Sequence, residues 1–186
     1  LYGQNPKVIE SLVEVAKKYK DVVGIDIAGG PRRTDKWGLH HYIDAYQEAK
    51  KHNIGRTVHV SEGRSPQEII DAIHLLDAQR LGHACTILEH EGAVELVKAK
   101  RVVIEACPTS NVHTGIYNNI SEHPIKEWIK QKIPVVICAD NTLMSNVTTY
   151  QEIRNVKKYC KLNINELGWC YSSALIGRFN EKRITR

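Results

Sequence analysis

Five short apolar runs punctuate the chain: "VVGIDIA" (22–28), "RTVHV" (56–60), "RLGHA" (80–84), "RVVIEACP" (101–108) and "IPVVICAD" (133–140). They are rich in β-branched residues and nearly continuous. A strand with one wet face alternates apolar and polar; a continuous run suits a strand covered on both faces, as in a parallel sheet. Helical patterns fill the gaps. Ser65-Pro66-Gln67-Glu68 reads as a capping box with proline at the first helical position, and Ile69, Ile70, Ile73 and Leu76 follow at helical spacing. Ala93, Leu96 and Val97 mark another helix, and Ile125, Trp128 and Ile129 a third. Asn5-Pro6 can cap an opening helix whose inner face is Ile9, Leu12, Val13 and Ala16. Residues 148–162 and 165–179 read as two closing helices.

Strand–helix alternation implies right-handed crossovers and a parallel sheet. Two α/β architectures meet that description: an open doubly wound sheet and a closed eight-stranded barrel. The first strand ends in "IDIAGGPRR" (25–33), without GxGxxG, and GxxxxGK[ST] is absent, which argues against a phosphate-cradling loop. A barrel takes about 250 residues. Five strands in 186 residues are a little over half of one. With no linker or low-complexity stretch, residues 1–186 read as a single domain.

Composition narrows the partners. Hydrophobic residues make up 42% and charged residues 25%, as in an ordinary soluble protein. No apolar run approaches the length of a membrane helix, and no signal peptide opens the chain. The net charge of +5 is spread out: Lys17, Lys18 and Lys20 near one helix end, Lys98, Lys100 and Arg101 near another. There basic groups favour the helix dipole. Without interleaved aromatics this is solvated surface charge, not a nucleic-acid face. Five cysteines and no CxxC point to a reducing, cytoplasmic setting, with Cys107 and Cys138 as buried thiols.

The informative feature is what each run ends on. The five tips carry Asp26, Gly29 and Gly30; His59, Ser61 and Glu62; His83; Glu105, Ser110 and Asn111; and Asp140 and Asn141. In a parallel barrel all carboxyl-terminal strand ends meet at one rim, where such folds do chemistry. Imidazoles and carboxylates gathered there suit Zn²⁺ or a similar divalent ion, and a catalytic ion takes about three protein ligands plus a water. Each residue alone has a plainer reading. His59 can be a satisfied core histidine, Asp140 a helix cap, Glu62 loop surface, and Asp26 and Glu105 hydrogen-bond partners. Histidines 40, 41, 52, 74, 90, 113 and 123 read as surface or capping residues.

In this order the tips resemble the adenosine deaminase family of metal-dependent amidohydrolases. "VVGIDIAGG" is similar to that family's GxDLAGxE, "TVHVSEG" to TxHAGE, "RLGHA" to RIGHG, "IEACPTSNVHTGIY" to xExCPTSNxxTG, and "IPVVICADNTLMS" to NTDNxLMS. The resemblance implies a (β/α)8 TIM-type barrel, with about five of eight strands in this chain, holding one zinc ion. It implies His59 and Asp140 as metal ligands, and Glu62, His83 and Asp140 as catalytic residues. Glu62 would face purine N1 and His83 the zinc-activated water, with Gly29 and Asn141 binding the purine. The implied reaction is hydrolysis of adenosine, and 2′-deoxyadenosine, to inosine and ammonia, with a purine nucleoside as the small-molecule partner.

Five positions depart from the pattern. Val60 and Ser61 replace the alanine and glycine of HAGE; "HVSE" is nearer the HLSE of N6-methyl-AMP deaminases. Ala84 stands for the last glycine of GHG, Gly30 for an acidic residue, and Ala139 for the threonine of TDN. These keep deamination of N6-methyl-AMP or another aminopurine open as an alternative. The family's first strand carries an HxH ligand pair, and no HxH occurs here. The resemblance therefore places this chain in the C-terminal portion of the barrel and two ligands in a missing N-terminal part. A non-catalytic barrel fragment is the further alternative.

Overall fold

The computed structural model describes residues 2–31 and 36–179. Among these, one sheet of five strands runs β1 (Gly24–Ile27), β2 (Gly55–Val60), β3 (Arg80–His83), β4 (Val103–Ala106) and β5 (Val135–Ile137). Nine α-helices among the described residues accompany it: α1 (Lys7–Lys18), α2 (Ile43–Lys51), α3 (Gln67–Leu76), α4 (Glu91–Lys100), α5 (Pro108–His113), α6 (Ile125–Lys130), α7 (Thr142–Ser145), α8 (Thr149–Tyr159) and α9 (Ile164–Ile176). Every neighbouring strand pair is parallel, and spatial order equals chain order. A doubly wound sheet reverses direction at a switch point. This one does not, and it has the α/β architecture of a barrel.

The core lies between sheet and helices. Val58, Val60, Leu81, Ile104, Val135, Ile69, Val97, Ile125 and Trp128 are all fully enclosed, each large aliphatic contributing about 1.5–3 kcal/mol relative to exposure. Tyr46 of α2 ties the layers together, its hydroxyl donating to the Thr57 carbonyl at 2.7 Å.

Two local expectations are corrected. Ser65 Oγ does accept from the Gln67 amide at 3.2 Å, but Glu68 does not close a capping box. Its carboxylate accepts instead from the Ser61 amide at 2.7 Å and from Arg64 Nε at 2.9 Å. Glu68 therefore braces the β2 tip. In α1, Ile9, Val13 and Ala16 face inward, but Leu12 is 50% exposed and lies with Val8, Val15 and Tyr19 on an outward apolar stripe. A helix carrying apolar residues on two faces reads as having a wider inner face than it has.

Candidate active site

The site grows from the strand tips. Asp26 of β1 and His59 of β2 lie on adjacent strands, with Asp26 facing Thr57 in register. The Asp26 carboxylate sits 3.1 Å from His59 Nδ1. A carboxylate on Nδ1 fixes a proton there and leaves Nε2 with its lone pair, the arrangement that orients metal-binding histidines. Burial opposes charge on His59, but the Asp26 bond, with Asp140 and Glu105 adding negative field, raises its pKa above the ordinary imidazole value. The ring needs space on β3: Gly82 is its register partner, and a Cβ there would lie 2.9 Å from the imidazole.

His83 ends β3. Its ring centre is 5.0 Å from that of His59, edge to face. Its Nε2 stands 3.8 Å from Glu62 Oε1, and its Nδ1 lies 3.1 Å from the Asn111 side-chain nitrogen. Burial, opposed by Glu62 and helped by His59, lowers the His83 pKa. His83 is only 2% exposed.

β4 leads through Cys107 into α5, whose residues flank the site. Ser110 Oγ donates to Asp140 Oδ2 at 2.6 Å. Glu152, fully buried on α8, accepts from the Thr109 amide at 2.6 Å and from the Thr109 hydroxyl. An acid 43 residues away thus pins the start of α5. Asn141 caps α7, its Oδ1 accepting from the Leu143 and Met144 amides at 3.1 Å. The N-cap falls to Asn141 and not to Asp140, whose carboxylate takes the Ser110 bond instead.

The tips turn outward through left-handed backbone: Gly29 (φ 73°), Ser61 (φ 52°), His83 (φ 64°), Ala84 (φ 50°) and Asp140 (φ 56°). Non-glycine residues there carry strain that clusters at functional sites. Two departures from the family pattern fall at such positions. Ser61 and Ala84 stand where the motif has glycine, and both adopt the conformation glycine adopts freely. Ser61 is steadied by its hydroxyl, which donates to the Ser65 carbonyl at 2.8 Å. At Gly30 a Cβ would collide with Nη1 of Arg64, whose Nε is held by Glu68.

Of the two readings for His123, surface residue or cap, the first is corrected: the residue is 3% exposed, while its Nδ1 accepts from the amide of Ile125, the first residue of α6, at 3.2 Å. Burial and the nearby His83 lower its pKa to about 3. His90 does cap, accepting from the Ala93 amide to open α4.

The family model for adenosine deaminase matches residues 2–183. The chain belongs to the adenosine deaminase family. An adenosine deaminase of Clostridium botulinum (strain 657 / Type Ba4) is 34% identical over 181 residues, covering 94% of this chain and 53% of that protein. The apo N6-methyl-AMP deaminase of Arabidopsis thaliana superposes with a TM-score of 0.82 at 24% identity, over 97% of this chain and 52% of that one. An amidohydrolase of Burkholderia ambifaria with bound Zn gives a TM-score of 0.83 at 16% identity, over 97% of this chain and 50% of the other. The family member from this chain thus spans about half the length of the relatives it matches.

Of the residues singled out from sequence, His59, Glu62 and His83 form one cluster, with Asp26 behind it. Asp140 joins through its charge on both histidines and its bond to Ser110. Gly29 and Asn141 stand at the β1 and β5 tips, with Asn141 engaged in its cap. Among the described residues no group of three or more His, Cys, Asp or Glu side chains forms a metal cage. Imidazole nitrogen and carboxylate oxygen, the donor types of His59 and Asp140, suit zinc chemically. Sequence reasoning placed Asn111 among the β4 tip residues without a role of its own, and did not single out Glu152 or Arg64. Asn111 lay in a matched motif; Glu152 and Arg64 carried no signal, because their partners are remote in sequence or depend on the loop's path.

Proposed function

We propose that this chain forms the C-terminal portion, residues 1–186, of a zinc-dependent deaminase that converts adenosine and water to inosine and ammonia. The observation that carries the reading is the approach of Glu62 and His83 to 3.8 Å beside a histidine whose Nδ1 is already bonded to Asp26. His59 and Asp140 would hold the ion together with two ligands from a further segment of the barrel. When bound, zinc supplies a nucleophile at neutral pH by acidifying a water. Glu62 would donate to purine N1 and make C6 more electrophilic. His83 would face the oxygen that adds to C6, and Gly29 and Asn141 would border the purine.

The outward stripe of Val8, Leu12, Val15 and Tyr19, beside the unpaired β1 edge among the described residues, supports a further barrel segment as the missing partner. The five free cysteines support a reducing cytoplasm. No helix among the described residues is long and apolar enough to cross a membrane.

The test is zinc content and adenosine turnover of the intact protein, followed by purine absorbance. Glu62→Gln keeps zinc and loses at least about 10³-fold in turnover; a variant within tenfold of the parent sinks the assignment. Ser61 after Val60 favours a second reading, deamination of N6-methyl-AMP. Offering adenosine, AMP and N6-methyl-AMP side by side decides between the two.

A further inference from the structure

We infer that Asn111 is a positioning residue that fixes the proton of His83 on Nε2, and so makes His83 a hydrogen-bond donor at the mouth; this rests on the deaminase reading above. Asn111 is the last residue of the PTSN stretch and is 0% exposed. Its amide nitrogen lies 3.1 Å from His83 Nδ1. An amide nitrogen has only protons to offer. The imidazole nitrogen facing it must therefore present a lone pair, and the single proton of neutral His83 is left on Nε2. A doubly protonated ring would set an N–H against an N–H.

The backbone holds this arrangement. The other amide atom, Asn111 Oδ1, is buried with no partner among the described residues, so the contact with His83 is the one polar bond the side chain makes there. The backbone of Asn111 is fixed independently: its amide donates to the Cys107 carbonyl at 2.9 Å, and its carbonyl accepts from the Ile116 amide at 2.9 Å. The side chain thus hangs from a rigid turn. An Asn111 amide and an Asp26 carboxylate give the two mouth histidines opposite tautomers. His59 carries its proton at Nδ1, behind the site, and offers a lone pair forward. His83 offers a lone pair behind and a proton forward, toward Glu62 Oε1 at 3.8 Å. One ring is set to bind a cation, and the other to donate to an oxygen gaining negative charge.

The test is ¹⁵N NMR of histidine-labelled intact protein, with His83 assigned by its loss in His83→Gln. The expected result is a non-protonated Nδ1 and a protonated Nε2 for His83. In Asn111→Asp the carboxylate accepts instead of donating, so the proton moves to Nδ1. Turnover then falls at least about 100-fold, with KM within about threefold, because tautomer rather than ground-state binding is changed. A parent spectrum with the His83 proton on Nδ1 overturns the inference. So does an Asn111→Asp protein with a shifted proton and turnover within threefold of the parent. Should Asn111→Asp fail to fold, the parent spectrum alone still decides. If the parent turns over no aminopurine, the deaminase reading fails, while the spectrum continues to judge the tautomer.

Discussion

The two ends of the same five strands are built to different ends. At the amino-terminal end charges are closed off. Arg56, 6% exposed, donates to the Asp77 carbonyl at 2.9 Å, the Ile54 carbonyl at 3.1 Å and the Asp77 carboxylate at 3.0 Å. Arg80, at the start of β3, pairs at 3.1 Å with Glu105, which the sequence placed at the β4 tip, and reaches Thr57 at 3.1 Å, with the Phe179 ring against its guanidinium. At the carboxyl-terminal end Glu62 and His83 stop at 3.8 Å, and Asn111 Oδ1 has no partner among the described residues. Satisfied polar groups stabilise a fold; part-satisfied ones need something else to complete them. The floor is finished within this chain and the mouth is not.

Substitutions at the two ends should separate the effects. The largest belongs to the mouth. Gly82→Ala in the intact protein pushes a methyl toward the His59 ring, which Asp26 prevents from swinging away. We expect zinc content to drop and turnover to fall about 10²-fold, with little change in the urea midpoint. Full zinc and unaltered turnover would show that the ring has another place to go. At the floor, Arg56→Ala removes the packed stem of the side chain. With only the Ile54 carbonyl left buried and unpaired, since Asp77 is exposed, it should cost about 1–2 kcal/mol in urea unfolding while leaving turnover per folded molecule unchanged. Loss of turnover without loss of stability would erase the distinction between the ends. The smallest effect is expected for Ser61→Gly. Relief of the left-handed backbone offsets the lost bond to Ser65, so the unfolding free energy should move by less than about 0.5 kcal/mol.

Much of this was legible in the residues. The strands announced themselves because burial on both faces makes them continuous, and their polar tips stood out against that background. His59 and His83 were visible for the same reason. The capping role of Glu68 was misread because S-P-Q-E satisfies the local pattern, while the stronger demand, the Ser61 amide, comes from the turn that follows β2. Leu12 was misplaced because spacing shows which residues share a face, not whether that face is covered. His123 looked like a loop residue, since nothing in its sequence neighbours says that Tyr117 and Trp128 close around it. Glu152 was illegible for a plainer reason: its bond to Thr109 crosses 43 positions.

The seat of Arg64 against Gly30 ties the fates of two sites that are 34 positions apart. A side chain introduced at position 30 meets the end of the Arg64 guanidinium, which must shift to admit it, and an acidic one would compete with Glu68 for that cation. What position 30 tolerates should therefore depend on which residue stands at position 64.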